Sequence, residues 1–348
     1  MIYHIMIDRF AGCNSKRQGR CFKGGNLKGI IRKLSYIQQL GATDMMITPF
    51  YLTNEYHGYH ILDYEKVDPH FGTWEDVARL VKAVHRRGMT ITADFVANHC
   101  HKNNALCKEH PDWFKLDKDG QVKGFEGIEF LPEFNLDHPA ARRYMTERGL
   151  ELCQMGFDAI RLDYAKGPSL DFWRYFRKAI KRAFPHVLLI GEVWGIPHDK
   201  RLPHHLSLAV RQGNMTIQDA WQLRYEGIFD GVLDFEYQFL LSRAARAQRI
   251  ADNEELAERL HQHFAQYAHT PNYQLWLFLD NHDTNRFLFD CKNDAALLNE
   301  ALELTMSQQR PYLYYYGTEI GMTHSSDVFS GLPFADEQVR ACMKFRVK

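Results

Sequence analysis

The sequence has little of the features that mark several specialised classes of protein. Its 43 Lys and Arg residues balance 43 Asp and Glu residues, so the formal net charge at pH 7 is +0. A neutral chain has no excess positive field to attract a nucleic acid or an anionic membrane surface, which argues against both kinds of partner. No apolar run approaches the length of a membrane span.

Cysteine gives no sign of a disulfide framework. The 7 cysteines are an odd number and show no Cys-x-x-Cys spacing, which favours reduced thiols. Cys100 with Cys107, or Cys13 with Cys21, are alternative pairs if the protein is exported. An apolar run follows Met1 directly, without the basic segment of a signal peptide. We therefore expect a cytoplasmic protein.

What the sequence does contain is a regular alternation of strand and helix patterns. Thr73 can cap a helix that ends at Gly88, and residues 89–95 then predict a strand. Eight strands follow from the same reasoning, at residues 2–7, 43–48, 89–95, 157–162, 187–190, 231–235, 274–279 and 311–316. Since no Gly-x-Gly-x-x-Gly follows the first strand, we predict an α/β fold of the closed (β/α)8 TIM-barrel type.

One segment fits neither the helical nor the strand period. Residues 100–131 are rich in His, Lys, Asn and Asp, and they separate the third strand from its expected helix. We predict a short inserted subdomain there. The barrel itself is then expected to comprise residues 1–99 and 132–348.

Acidic residues end four of the apolar runs, namely Asp94, Asp163, Glu192 and the segment from Asp280 to Asp283. An unpaired carboxylate within a buried strand costs several kcal/mol, so these acids are expected at the strand ends. The carboxyl ends of parallel strands meet at one edge of a sheet, where α/β folds build their sites. Carboxylates that share one pocket are typical of glycoside hydrolysis.

The segments around these acids resemble the signature regions of the α-amylase family, glycoside hydrolase family 13. They occur in the family's order and are Asp94-Phe95-Val96-Ala97-Asn98-His99, Gly156-Phe157-Asp158-Ala159-Ile160-Arg161-Leu162-Asp163, Glu192-Val193-Trp194 and Asn281-His282-Asp283. With supporting stretches, the resemblance spans almost the whole chain. It implies a retaining mechanism on α-glucan substrates.

The resemblance implies a role for each acid. Asp163 matches the catalytic nucleophile, Glu192 the general acid/base, and Asp283 the third carboxylate, which binds sugar hydroxyls and favours the distorted transition state. Asp94 is better explained as a buried structural acid that holds Arg161 than as a participant in the chemistry.

Further positions match residues that surround the sugar. Arg161 should point to the same side as Asp163, where a guanidinium would keep the carboxylate ionised and oriented. This chain has Lys166-Gly167 where the family often has Lys-His after the nucleophile. Lys166 can still contact a sugar on the leaving-group side, but the missing histidine weakens the inference about the binding site for that sugar. Arg286 either reaches a sugar or balances Asp283. The predicted substrate-binding residues are His57, Tyr59, His99, Arg161, Lys166, His282 and Arg286.

The expected chemistry requires no cofactor, although the family commonly holds a structural Ca²⁺. Asn98 and Glu133 stand at the corresponding positions, and Asn98 can alternatively support loop backbone. Two oxygen ligands are few for calcium. Most members also carry a C-terminal β-sandwich, whereas this chain stops at Lys348, so we expect either that the protein lacks this domain or that the chain is truncated.

The sequence thus predicts a hydrolase of α-1,4 links in starch-derived oligosaccharides, acting through a covalent glucosyl–Asp163 intermediate. A transglycosylase, or an α-1,6-active enzyme like a neopullulanase or cyclodextrinase, would use the same residues. A non-catalytic sugar-binding protein on this barrel is a remote alternative, because all three carboxylates are present. No feature of the sequence indicates the oligomeric state.

Overall fold

The computed structural model describes residues 1–195, 202–332 and 335–345. The strands are β1 (Ile2–Ile5), β2 (Asp44–Ile47), β3 (Tyr51–Thr53), β4 (Ile61–Val67), β5 (Thr90–Phe95), β6 (Gly124–Phe125), β7 (Ile128–Pro132), β8 (Ala159–Leu162), β9 (Leu188–Gly191), β10 (Gly231–Leu233), β11 (Gln274–Phe278) and β12 (Tyr312–Tyr315).

The α-helices are α1 (Leu27–Gln39), α2 (Trp74–His85), α3 (Leu106–Glu109), α4 (Pro139–Gln154), α5 (Leu170–Ala183), α6 (His204–Arg211), α7 (Ile217–Leu223), α8 (Phe235–Arg246), α9 (Glu254–Ala265), α10 (Phe287–Asp290), α11 (Ala295–Ser307) and α12 (Asp336–Val339). Short 3-10 helices cover Ile7–Arg9, Pro111–Trp113 and Thr318–Ile320.

Eight strands form a closed barrel in the hydrogen-bonded order β1-β12-β11-β10-β9-β8-β5-β2. They are the eight strands predicted from the sequence, with ends that differ from the prediction by no more than two residues. The prediction of a (β/α)8 barrel is therefore confirmed. Most of these strands are buried along their length, as expected where helices cover the outer face of a parallel sheet.

Helix α2 shows how local sequence sets these elements. The Thr73 side chain accepts a hydrogen bond from the Asp76 amide at 3.3 Å, which satisfies one of the free donors at the helix start. Val77, Leu80 and Val84 are fully buried on one face. Gly88 follows with a φ of 68°, a left-handed conformation that glycine adopts at low cost and that separates the helix from β5.

The chain divides into two compact units, which we describe separately. The N-terminal unit is Ile5–Glu192 and the C-terminal unit is Met1–His4 with Val193–Lys348. In the N-terminal unit, Asp94 on β5 pairs in register with Arg161 on β8. Arg161 in turn pairs with Ile190 on β9. The register therefore brings the carboxyl ends of these three strands to the same level.

The N-terminal unit contains two antiparallel hairpins in addition to its parallel strands. β3 pairs with β4, and β6 pairs with β7. The first hairpin was not anticipated from the sequence. The second lies within the predicted excursion, which also contains α3. Isolated bridges join His99 to Glu133 and Phe114 to Phe134, so the excursion is tied back to the segment after β5. The exact domain division stays a prediction.

The C-terminal unit is built on parallel pairs of its own. β1 pairs with β12, and β11 pairs with both β10 and β12. Side chains from α8 and α11 meet in its core, where the hydroxyls of Tyr237 and Thr305 are 2.9 Å apart. Trp276 and Leu277 on β11 are buried, so this strand is covered on both faces.

Five cysteines are free thiols, namely Cys21, Cys100, Cys107, Cys153 and Cys291. The sulfurs of Cys100 and Cys107 are 3.9 Å apart without a covalent bond. Cys13 and Cys342 are not among the free thiols, and each is assigned to a disulfide, so the prediction of reduced thiols is wrong for these two residues. Among residues 1–195, 202–332 and 335–345, no helix is both long enough and apolar enough to cross a membrane.

Candidate active site

A single guanidinium group, that of Arg161 on β8, binds the acids that end three neighbouring strands. Its Nη1 donates hydrogen bonds to Asp94 Oδ1 at 2.7 Å and to Asp163 Oδ1 at 2.8 Å. Its Nη2 forms an ion pair with Glu192. The sequence expectation that these strand-end acids lie together is confirmed for Asp94, Asp163 and Glu192, which all belong to the N-terminal unit.

Backbone hydrogen bonds fix Glu192 against the loop after β8. The Glu192 amide donates to the Leu162 carbonyl at 2.9 Å, and the Glu192 carbonyl accepts from the Ala165 amide at 3.0 Å. The carboxylate itself accepts a hydrogen bond from the Tyr164 amide at 2.9 Å. One oxygen of Glu192 therefore faces Arg161 while the other faces a backbone donor, so the carboxyl plane has one preferred orientation.

Burial makes the electrostatics of this cluster strong. Arg161 and Asp94 have no exposed surface, whereas Asp163 and Glu192 are 7% and 6% exposed. Burial disfavours the charge on Arg161, but Asp94, Glu192, Tyr59 and Asp163 outweigh that cost and raise the pKa of Arg161 well above its ordinary value. The guanidinium is therefore a permanent cation facing three carboxyl groups.

Asp94 uses both of its oxygens to support this arrangement. Oδ1 binds Arg161, and Oδ2 accepts a hydrogen bond from the Tyr59 hydroxyl at 2.6 Å. The ring of Tyr59 stacks on His57, with centroids 5.7 Å apart, and His57 Nδ1 accepts from the Tyr59 amide at 3.1 Å. These contacts are those of a supporting acid, as the sequence suggested. The sugar-binding roles of His57 and Tyr59 stay predictions.

Two other predicted sugar contacts lie against the excursion. His99 is stacked on Phe125 at the β6–β7 hairpin, with centroids 4.3 Å apart. Burial, with a contribution from His60, lowers the pKa of His99 to about 3, so its imidazole is neutral. Lys166 is 6% exposed, and its ammonium lies 4.9 Å from the centre of the Tyr164 ring.

Tyr164 is a site residue that the sequence reasoning missed. It follows Asp163 directly and has a φ of 43°, which is uncommon for a residue other than glycine. Its hydroxyl is hydrogen-bonded to Glu126, and its ring meets that of Phe125 edge-on at 4.6 Å. Strained backbone of this kind is often found at functional sites. Here it aims the Tyr164 amide at Glu192, a feature that no sequence pattern reveals.

The C-terminal unit carries Asp283 in a polar setting of its own. His282 Nε2 is 3.0 Å from Asp283 Oδ2, and Arg340 Nη2 donates to Asp283 Oδ1 at 2.9 Å. Arg340 also donates from Nε to the His282 carbonyl at 2.8 Å. Asp283 is thus held by two side chains, one of which, Arg340, was not foreseen because it lies far along the chain. The catalytic role of Asp283 stays a prediction.

Arg286 is bound to backbone carbonyls of the C-terminal unit. Its guanidinium is fully buried and donates hydrogen bonds to the carbonyls of Tyr316 at 2.5 Å and Val339 at 3.0 Å. It also lies 4.0 Å from the centre of the Tyr315 ring. The guanidinium that pairs with Asp283 in the C-terminal unit is that of Arg340, and the sugar-binding role of Arg286 stays a prediction.

The two residues expected to hold a structural calcium ion have other surroundings. Glu133 accepts hydrogen bonds from the ammonium groups of Lys115 and Lys123, each at 3.0 Å. Lys115 also donates to the Gly167 carbonyl at 3.0 Å. The buried side-chain amide of Asn98 has no hydrogen-bond partner among the described residues. A carboxylate that already binds two ammonium groups is poorly suited to serve as a ligand of calcium.

Comparison with known proteins agrees with this fold. The family described as "Alpha amylase, catalytic domain" matches residues 4–125 and 128–344. The chain therefore belongs to the α-amylase family of glycoside hydrolases, which confirms the resemblance seen in the sequence. Alpha-amylase 2 of Dictyoglomus thermophilum is 32% identical over 98% of the chain, and Neopullulanase 2 of Thermoactinomyces vulgaris is 29% identical over 94%.

The chain spans only 58% and 57% of the lengths of these two relatives. The chain covers a larger share of two solved structures. An α-amylase from Anoxybacillus superimposes with a TM-score of 0.78 at 29% identity, over 100% of this chain and 75% of that one. An α-amylase from Geobacillus thermoleovorans, complexed with acarbose, gives a TM-score of 0.76 at 28% identity, over 100% of this chain and 74% of that one.

Proposed function

We propose that this protein is a retaining α-glucan hydrolase that cleaves α-1,4 links of starch-derived oligosaccharides. The observation that carries the proposal is the binding of Asp163 and Glu192 to the two terminal nitrogens of one guanidinium, that of Arg161. A shared guanidinium keeps two carboxyl groups close, as expected of a retaining enzyme, in which they are about 5–5.5 Å apart.

In the first step Asp163 attacks the anomeric carbon of the sugar. The bond from that carbon to the glycosidic oxygen breaks as a bond to the Asp163 carboxylate forms, and Glu192 transfers its proton to the departing oxygen. Arg161 supports the attack because its hydrogen bond keeps Asp163 ionised and fixed in position.

In the second step water replaces Asp163 at the anomeric carbon. Glu192, now a carboxylate, accepts a proton from the water, and the bond to Asp163 breaks. The charge of the cluster suits Glu192 for the acid role at the start of the cycle. Three carboxyl groups share one guanidinium in a buried setting, so a proton on one of them reduces an excess of negative charge.

We assign the proton to Glu192 and the negative charge to Asp163 on the basis of their sequence motifs, in which Glu192 matches the general acid/base and Asp163 the nucleophile. Both side chains are bound to Arg161, and Glu192 also accepts a hydrogen bond from the Tyr164 amide. For Asp283 we propose the binding of sugar hydroxyls. This role rests on its sequence motif and on its orientation by His282 and Arg340.

The choice of an α-1,4-glucan as substrate is supported by relatives named α-amylase, and a neighbouring structure holds acarbose. Relatives are also named neopullulanase and cyclomaltodextrinase, so the substrate range has to be measured. Among the residues that the structure describes, no contact favours transfer to a sugar acceptor over hydrolysis.

The proposal is tested with purified protein and a panel of maltohexaose, pullulan and a cyclodextrin. We expect the fastest cleavage on maltohexaose, with the α-anomer as the first product seen by NMR before mutarotation. Products longer than the starting substrate would instead indicate transglycosylation. A protein that binds maltohexaose and releases no reducing sugar would refute the proposal.

A further inference from the structure

We infer that the ammonium group of Lys115 serves as the resident cation at the position that the family resemblance assigns to calcium, and that this protein is stable without a metal ion there. The inference concerns the fold of the N-terminal unit, and it holds whether or not the proposed reaction is the correct one.

The Lys115 side chain contacts two segments of the N-terminal unit besides its own. Its Nζ donates to Glu133 Oε2 and to the Gly167 carbonyl, both at 3.0 Å. Glu133 follows β7 at the end of the excursion, whereas Gly167 lies in the loop that follows Asp163. One ammonium group therefore cross-links the excursion to the loop that carries the proposed nucleophile, as a bridging metal ion would.

The backbone around Lys115 fixes where its ammonium lies. The Lys115 amide donates to the Glu133 carbonyl at 2.9 Å, and the Lys115 carbonyl accepts from the Lys123 amide at 2.8 Å. The Glu133 amide donates to the Lys123 carbonyl at 2.9 Å. The two lysines and Glu133 are thus adjacent in a small hydrogen-bonded ladder, so the side-chain ion pairs require little further loss of backbone freedom.

The positive charges around Glu133 disfavour the binding of a divalent cation. Glu133, whose side chain is 4% exposed, already accepts from two ammonium groups, Lys115 and Lys123. Calcium takes six to eight oxygen ligands and favours several carboxylates. In residues 1–195, 202–332 and 335–345 no group of three or more His, Cys, Asp or Glu side chains is arranged to hold a metal. A calcium ion would have to displace both lysines from Glu133.

Asn98 is the one feature that retains the character of a ligand. Its side-chain oxygen lies against Gly167, where an added Cβ would approach it to 2.1 Å, and it has no partner among the described residues. A single neutral oxygen does not offset the repulsion of two ammonium groups. Lys115 therefore supplies the cation at this position, with the Asn98 side chain as an unused acceptor beside it.

The first test uses the wild-type protein, with metal content and thermal stability as the readouts. After dialysis against EDTA we expect no stoichiometric calcium by elemental analysis. We also expect the same Tm in EDTA and in millimolar CaCl₂. A fall in Tm with EDTA, or retention of one calcium ion per chain, would overturn the inference. Because the readouts do not depend on turnover, a failure here is distinct from a failure of the proposed function.

The second test compares two lysines that share one partner. Lys115→Met removes the charge that reaches both Glu133 and Gly167, and we expect the Tm to fall by about 3 °C in EDTA. Lys123→Met removes a more exposed charge that contacts Glu133, so its Tm should fall by less than half as much. Equal shifts for the two variants, or no shift for Lys115→Met, would contradict the assignment. If Lys115→Met does not fold, the wild-type calcium measurements still decide the question.

Discussion

Arg161 and Asp163 lie two residues apart at the end of β8, and Nη1 of the arginine donates a 2.8 Å hydrogen bond to Oδ1 of the aspartate. The same nitrogen binds Asp94 at 2.7 Å. Because one buried donor serves both acids, the position of the proposed nucleophile depends on an acid from a neighbouring strand. This arrangement leads to the first prediction.

Replacing Arg161 should impair both activity and stability. Lysine keeps the charge but lacks the planar pair of donors, so we expect Arg161→Lys to lower kcat/KM by about 100-fold or more. Arg161→Ala leaves buried carboxylates without a counter-charge and should lower the free energy of unfolding by about 3–5 kcal/mol. Steady-state kinetics and denaturant unfolding provide the measurements.

Arg142→Lys is the matched control, since the Arg142 side chain on α4 donates to the carbonyls of Leu136 and Asp137 and forms a half-exposed ion pair with Asp137 at 3.7 Å. It should change neither quantity appreciably. Near-normal kcat/KM in Arg161→Lys would show that Arg161 does not orient Asp163.

A substrate whose leaving group needs no proton distinguishes the role of Glu192 from that of Asp163. Glu192→Gln should lower turnover of maltooligosaccharides by about 10²–10⁴-fold, because their leaving group must be protonated. It should retain much more of the first step with α-maltosyl fluoride, since fluoride departs without a proton. Asp163→Asn should lose activity on both substrates. Released fluoride and reducing sugar are the measurements, and equal losses on both substrates for Glu192→Gln would exclude the acid role.

Tyr164 is predicted to orient Glu192 through its backbone amide. Its φ of 43° is disfavoured for a β-branched residue, so we expect Tyr164→Val to destabilise the fold by about 1–2 kcal/mol. The same variant should lose more activity on maltooligosaccharides than on α-maltosyl fluoride, because the amide donor to Glu192 moves.

Two comparison variants isolate the backbone effect. Asparagine tolerates a positive φ, so Tyr164→Asn should retain the preference between the two substrates. Tyr164→Phe removes only the hydroxyl bound to Glu126. If Tyr164→Val and Tyr164→Phe shift the substrate preference equally, the hydroxyl rather than the amide is responsible.

A buried ionic cluster in the C-terminal unit predicts how stability varies with pH. His263 lies between Asp219 at 2.7 Å and Asp234 at 2.8 Å. Burial opposes its charge, but these two carboxylates outweigh that effect and raise the pKa of His263 from 6.5 to about 10. Burial, with the nearby charge of Asp219, raises the pKa of Glu236 to about 7.

Both shifts have the same sign. The folded state binds protons more tightly than the unfolded state, so the stabilisation is complete at low pH and is lost as the pH rises through these values. The contribution of Glu236 should disappear by about pH 7, and that of His263 between pH 6.5 and about 10. We therefore expect the Tm to fall by several degrees between pH 7 and 10.

His263→Gln provides the control for this pH dependence. It keeps a hydrogen-bonding side chain but cannot gain a proton, so its Tm should be lower at pH 7 and should decline less toward pH 10. The Tm of both proteins is measured across this range by calorimetry. An unchanged slope in His263→Gln would assign the pH dependence to other groups.

The barrel could be predicted from the sequence because it depends on repeated local signals. Each strand is a short apolar run bounded by a helix end, as at Gly88 before β5, and each of the acids Asp94, Asp163 and Glu192 follows or ends such a run. Side-chain alternation along a strand also predicted that Arg161 and Asp163 would lie together.

The residues that were missed act through contacts that no local period encodes. Tyr164 contributes a backbone amide whose direction depends on an unusual φ. Lys115 reaches Glu133 across a small ladder within the irregular excursion, and Arg340 reaches Asp283 from a distant part of the chain. Such contacts are set by tertiary packing, so their identity had to come from the structure.

The central claim is that Asp163 forms a covalent bond to the substrate, and it is tested most directly by trapping that bond. In Glu192→Gln, α-maltosyl fluoride should react with Asp163, while removal of the sugar by water is slow without the general base. Intact-protein mass spectrometry should then show one added maltosyl unit, and peptide mapping should place it on Asp163. A stable adduct on another residue, or a β-anomer as the first product of the wild-type enzyme, would contradict the account.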